Sequence, residues 1–231
     1  MFPAMTAPAI ALNDVHLTLP SRAGDVDFLR GANLVVKPGE AVGVVGPSGS
    51  GKTTLLMVIA GLERASSGTV DVAGQSLNGR GEDWLAAFRR DHVGIVFQSF
   101  LLIPTMTALE NVAVPLEFRG LAGAMDIARD RLVRVGLGHR LSHYPGQLSG
   151  GEQQRAAIAR ALASGARIIL ADEPTGNLDH DTGKQIIDLL FALRSQEGAS
   201  LLLVTHDRDL AARCDRIAEV RDGKIVAGAM P

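Results

Sequence analysis

Cysteine is nearly absent. The one thiol, Cys214, excludes an intrachain disulfide and suits a reducing compartment. Set in Ala211-Ala212-Arg213-Cys214-Asp215-Arg216, it reads as a small packing residue, not a nucleophile. Long apolar runs are missing as well, since none approaches the roughly 20 residues of a membrane helix. A soluble chain is therefore expected, with any membrane role supplied through a partner. Residues 1–9 hold neither a basic residue nor a long apolar core, which argues against a secretory signal. Their Pro and Ala content predicts a frayed terminus. Excess positive charge is lacking too. Lys and Arg number 23 against 25 Asp and Glu, a net charge of −2, so there is no basic footprint for nucleic acid. Internal repeats and low-complexity tracts do not occur.

What is present is the composition of a globular protein with a large core, 46% hydrophobic and 21% charged. At 231 residues the chain suits one large domain or one domain with an insertion. Short β-rich runs alternate with helical patterns, which predicts a parallel α/β layer fold. Strands are expected at 10–19, 32–36, 41–45, 69–72, 93–97, 168–171, 201–205 and 217–221. The first few, joined by short turns such as Lys37-Pro38-Gly39-Glu40, look antiparallel, and the later ones parallel. Between about Ser99 and Ala163 the pattern changes to helices near 108–118 and 125–135 with no clear strand. That stretch reads as a helical subdomain inserted into the α/β core.

Gly46-Pro47-Ser48-Gly49-Ser50-Gly51-Lys52-Thr53 follows the apolar strand 41–45 and precedes the helical run 54–60. Glycines at that spacing let backbone N–H groups wrap phosphates, Lys52 brings a charge to the β and γ groups, and Thr53 offers a hydroxyl to Mg²⁺. ATP or GTP binding follows. The strand 168–171 runs into Asp172 and Glu173. Asp172 suits Mg²⁺, a hard cation that prefers oxygen ligands, and Glu173, one residue on and facing the other way, suits a base for water. Water, not a substrate hydroxyl, is then the nucleophile.

Three smaller signals accompany these. Gln98 follows the strand 93–97, where its amide can meet metal or water. Asn177-Leu178-Asp179 reads alternatively as a helix cap for 181–197. His206 follows an apolar strand, where an imidazole can bond a γ-phosphate. The other histidines read as surface residues. Finally, Leu148-Ser149-Gly150-Gly151-Glu152-Gln153-Gln154-Arg155 combines a Ser149/Glu152 capping box with two glycines in the first helical turn. That helix, expected to run to about Ala163, presents N–H groups and a positive dipole end, a second anion site. Two such sites in one chain suggest a dimer that shares nucleotides.

In this order the motifs resemble those of ABC-type ATPases over nearly the whole chain. The resemblance implies a P-loop NTPase core of ABC type with an antiparallel β subdomain (core 10–98 and 164–231) and an inserted helical subdomain (99–163). Gly46–Thr53 corresponds to Walker A, Gln98 to the Q-loop, 148–155 to the signature, Asp172 and Glu173 to Walker B, 177–179 to the D-loop and His206 to the switch. Nucleotide contacts are implied for the Walker A residues, Thr54, Ser149, Gly150, Gly151, Gln153 and Asp179. Catalytic roles are implied for Glu173, His206, Lys52 and Gln98, and Mg²⁺ contacts for Thr53, Gln98 and Asp172. Two copies would pair head to tail over ATP.

The run Glu173-Pro174-Thr175-Gly176-Asn177-Leu178-Asp179 is similar to the lipoprotein-release, macrolide-efflux and FtsE branch. Residues 92–105, Ala108-Leu109-Glu110-Asn111-Val112 and 210–216 look most like its YbbA type. This implies a homodimer on the cytoplasmic face of the bacterial inner membrane, driving a MacB/FtsX-type permease that moves hydrophobic or lipid-linked cargo. An alternative is a regulatory ATPase that signals through a membrane partner without transport. A soluble ABC protein acting on DNA or ribosomes fits poorly, for there is no tandem cassette, coiled-coil insertion or basic tail. One departure stands out. Where such domains often stack adenine on an aromatic residue, this chain has Leu19, with Phe28 the aromatic that can substitute.

Overall fold

The computed structural model describes residues 7–21 and 24–226. The chain divides into two compact units, one formed by residues up to 89 and from 199 onward, the other by 90–198. The helical stretch 99–163 therefore shares its unit with the flanking strands and the helix that follows them.

In the first unit, β1 (Ile10–Ser21) pairs antiparallel with β2 (Gly24–Val36) and with β4 (Ser67–Val72), and β5 (Gln75–Ser76) closes an antiparallel sheet ordered β2-β1-β4-β5. β3 (Ala41–Val45) is buried at every position, as a strand covered on both faces requires. It pairs in parallel with β8 (Ser200–Val204) and β9 (Arg216–Arg221), and β10 (Lys224–Val226) adds antiparallel to β9. The antiparallel pairing expected from β2 into β3 is thus corrected. The Lys37–Glu40 turn carries the chain from one sheet to the other, and its Glu40 N–H donates to Lys37 O at 3.1 Å. A short polar turn reverses the chain equally well within a sheet or between two.

Helices α1 (Lys52–Ile59), α2 (Glu82–His92) and α7 (Arg208–Ala211) complete the elements that begin in this unit. Ala9, placed by its sequence in a frayed terminus, is 1% exposed, donates to Val36 O and accepts from Ala73 N–H. Residues 1–6 lie outside the described residues.

In the second unit, β6 (Val93–Phe97) and β7 (Ile168–Asp172) pair in parallel. Helices α3 (Ala108–Phe118), α4 (Ala124–Arg134) and α5 (Gly150–Ala163) pack against one another, and α5 also meets β6 and α6 (His180–Glu197). Ala156, Ala157, Ala159, Ala161 and Ala163 of α5 are all buried, and their small size lets this helix approach several neighbours at once. Branched residues beside them, such as Ile158, fill the gaps, each burial contributing about 1.5–3 kcal/mol. No helix among the described residues is long and apolar enough to cross a membrane.

Candidate active site

The phosphate loop leaves the carboxyl end of β3 and enters α1 at Lys52. Its shape is set by close backbone neighbours. A Cβ on Gly46 would stand 2.2 Å from Val220 O, and one on Gly51, whose φ is +101°, 2.6 Å from Phe28 O. Lys52 is 9% exposed and folds back over the loop, Nζ donating to Gly46 O and Pro47 O at 2.9 Å each. Ser50 is buried, and its hydroxyl has no hydrogen-bond partner. α1 has no side-chain cap and no acidic residue in its first turn, so its positive end is left to a ligand. A held ammonium, an orphaned hydroxyl and an uncapped helix start fit a phosphate chain.

Pro47, Ser48, Gly49 and Thr53 are exposed along this loop, while Thr54 and Gly46 are half-buried. Thr205 continues β8, donating its N–H to Val44 O at 3.1 Å, so the exposed His206 emerges at the same end as the loop. Leu19 and Phe28 are both half-buried. Phe28 is the one whose backbone the loop approaches, at Gly51.

In the second unit Phe97 and Asp172 are register partners, so Gln98 and Glu173 leave two paired strands side by side at their carboxyl ends. That edge is where parallel α/β sheets place ligands. Asp172 and Glu173 are half-buried. Glu173 has φ +45°, a left-handed backbone that ends the strand alternation by which it was expected to face opposite Asp172. Such strain in a turn persists where the surroundings enforce it. Gly176 N–H donates to Glu173 O at 3.0 Å, closing the turn.

The side chains after that turn are committed. Gln98 Nε2 donates to Asn177 Oδ1, and Asn177 Nδ2 donates to Gln98 O. Asp179 caps α6, accepting from Thr182 N–H at 3.0 Å, a bond that holds its carboxyl below the usual carboxylate range. Beyond Gln98, Phe100 and Leu101 are left-handed at +60° and +47°, and Arg160 of α5 donates to both of their carbonyls.

The capping box at α5 forms as its spacing predicted. Glu152 N–H donates to Ser149 Oγ at 3.3 Å, and Ser149 N–H to Glu152 Oε2 at 2.8 Å. Ser149, Gly150 and Gly151 open into a polar pocket of about 310 Å³, which residues 177–179 also line. A Cβ on Gly151 would sit 2.6 Å from Thr182 Cγ2, so the starts of α5 and α6 abut. The segments read from sequence as signature and D-loop thus share one pocket. Arg155, the last residue of the octapeptide, lines it too, with Thr182 and Gln185, which nothing in the sequence pattern marked. Gln153 does not line it, for its amide donates to Leu148 O at 3.1 Å. Buried Gln154 donates to Pro174 O at 2.6 Å and so ties α5 to the carboxylate turn. Among the histidines read as surface residues, His143 is only half-buried, and its Nδ1 is fully enclosed.

A family model described as ABC transporter matches residues 29–176, from the strand beside the phosphate loop through the carboxylate turn. The chain belongs to the ABC transporter family. It is 52% identical over 203 residues to the ABC transporter ATP-binding protein YbbA of Escherichia coli K12, covering 87% of this chain and 89% of YbbA. It is 44% identical over 221 residues to the macrolide export ATP-binding/permease protein MacB of the same strain, covering 95% of this chain and 34% of MacB. The fold matches a dimeric post-hydrolysis structure of the ATP-binding cassette MJ0796 bound to ADP and Pi. That match has a TM-score of 0.89 at 40% identity and covers 96% of this chain and 98% of the other. As an ABC protein the chain is the ATP-binding subunit of a transporter, and it hydrolyses ATP.

Proposed function

We propose that the chain works as a head-to-tail homodimer on the cytoplasmic face of a bacterial inner membrane, driving a separate permease of the MacB/FtsX type. Each ATP is held by the phosphate loop of one copy and by Ser149, Gly150 and Gly151 of the other. The observation that carries this reading is the polar pocket at the start of α5, in which two glycines, Ser149 and Arg155 meet residues 177–179. A helix start of that kind attracts an anion. The second unit contains no phosphate loop of its own to supply one.

Lys52 brings its charge to the β- and γ-phosphates, helped by the N–H groups at the start of α1. Thr53, Asp172 and Gln98 offer the hydroxyl, carboxylate and amide oxygens that Mg²⁺ prefers. No group of three or more His, Cys, Asp or Glu gathers among the described residues, which suits an ion bound jointly with phosphate. Bound there, the ion would neutralise charge on the phosphoryl oxygens. Glu173 orients the attacking water and accepts its proton, and His206 donates to the γ-phosphate as charge develops. Loss of the γ-phosphate removes the anion that both copies share, and the dimer opens.

MacB, as its name says, joins an ATP-binding part to a permease, and this chain spans 34% of it. That likeness supports a MacB-type permease as partner, and the cargo we propose for it is hydrophobic or lipid-linked. Reconstitution in vesicles tests the proposal: the permease should raise ATP turnover, and a lipid-linked cargo should raise it again. No response to any MacB/FtsX-type permease would overturn the partner. Stimulation without cargo movement would favour a signalling ATPase.

A further inference from the structure

Glu152 does more than complete the cap of Ser149. While its Oε2 accepts from the Ser149 N–H, its Oε1 accepts from Arg140 Nε at 2.9 Å. The pair is shielded, with the Glu152 side chain 13% exposed and that of Arg140 35%. The Ser149 N–H, and Arg140 after it, hold the Glu152 carboxyl below the usual carboxylate range. Arg140 is fixed from its other side, where Nη1 lies 3.1 Å from His143 Nε2. Arginine only donates, so Nε2 is the acceptor and the ring proton sits on Nδ1. That Nδ1 is buried with no hydrogen-bond partner. The ring is thus kept for its acceptor at the cost of an unmatched donor.

The turn carrying both residues is anchored in turn. His143 N–H donates to Arg140 O at 3.0 Å, while Ala108 and Leu109 N–H, at the start of α3, donate to His143 O and Leu141 O. A continuous line of hydrogen bonds runs from α3 through this turn, Arg140 and Glu152 to Ser149.

We propose that Arg140 is a positioning residue for ATP-driven association of two copies. It holds Glu152 in the cap and so fixes the Ser149 hydroxyl and the first turn of α5 in the orientation that takes the partner copy's γ-phosphate. The role rests on the signature reading given above. Arginine is needed because its planar fork engages Glu152 and His143 together, whereas a lysine ammonium offers a point charge.

The test uses the full chain carrying Glu173→Gln, in which ATP dimers should accumulate. Arg140→Ala should weaken ATP-driven dimerisation about tenfold by light scattering, and Arg140→Lys should recover part of the loss. Binding of a fluorescent ATP analogue to the monomer should stay unchanged. Glu152→Gln keeps a capping residue but offers Arg140 no charge, so adding Arg140→Ala to it should change dimerisation little. Unchanged dimerisation in Arg140→Ala overturns the role, as do additive effects of the two substitutions. Equal losses in dimerisation and monomer affinity, the mark of a general fold defect, overturn it too. Failure of the signature reading looks different, because Ser149→Arg would then leave dimerisation intact.

Discussion

Gln98 and Asn177 lie 79 residues apart in sequence yet exchange two hydrogen bonds, Gln98 Nε2 to Asn177 Oδ1 at 3.1 Å and Asn177 Nδ2 to Gln98 O at 3.0 Å. The amide expected to meet metal or water is therefore held by the loop that also lines the pocket at the start of α5. Movement of either segment has to break or carry the other.

Gly176 is what lets the two come so close. A Cβ there would stand 2.7 Å from Gln98 Nε2, so Gly176→Ala must displace the Gln98 amide. ATP turnover is expected to fall about tenfold through lost positioning, with ATP affinity little changed, because the phosphate loop is untouched. Steady-state kinetics beside equilibrium nucleotide binding separates the two. A larger effect on affinity than on turnover would place Gln98 in binding instead.

Glu173→Gln should bind ATP, lose about 10²–10⁴-fold in turnover and accumulate as an ATP dimer, since the amide keeps the shape of the carboxylate but accepts no proton. Phosphate release and light scattering check both halves. Normal turnover would remove Glu173 as the base.

Local features were the legible ones. The box at Ser149 and Glu152, the run of β3 into Gly46, and the bounds of α3 depend on neighbours a few residues apart, and each lies where its spacing put it. The first half of β2 escaped because 24–27 is exposed throughout, and an exposed edge carries no apolar alternation. α2 was not read either, although Trp84, Leu85 and Phe88 recur at helical spacing within its 11 residues. Residue types pointed to the candidate site, but partners joined over longer separations could not be read. Gln98 with Asn177 is one such pair, and Arg140 with Glu152, joined across two turns of chain, is another. Gln153, expected at the nucleotide, here bonds its own backbone, as a polar residue near a helix start does as readily as it bonds a ligand.

The lowered Glu152 carboxyl makes a statement about acid stability. Its ordinary value is 4.5, and the Ser149 N–H and Arg140 stabilise the charged form in the folded state. Folding therefore gains from Glu152 above that ordinary value and loses the gain as pH falls through the depressed one. Urea midpoints of the parent and Glu152→Gln should differ most above that ordinary value and converge as pH falls through the depressed one. Asp179 and Glu110, also lowered, are present in both proteins and cancel. A gap that stays constant with pH would mean that Glu152 acts through packing alone.

Two glycines of the phosphate loop give opposite tests of why glycine is there. Both are left-handed, Gly49 at +77° and Gly51 at +101°, so an alanine at either position carries a backbone penalty of about 1–2 kcal/mol. Only Gly51 is also crowded, its added Cβ lying 2.6 Å from Phe28 O, whereas Gly49 has nothing within 4 Å. Relief of that contact requires β2 or the loop to shift, adding about 1–3 kcal/mol. Urea unfolding without nucleotide should therefore show Gly51→Ala losing about 2–5 kcal/mol and Gly49→Ala about 1–2 kcal/mol. The backbone at Phe28 would then be what presses the loop into its phosphate-receiving curve before any nucleotide arrives. Equal losses at the two positions would mean instead that the curve belongs to the loop alone, and that β2 merely lies beside it.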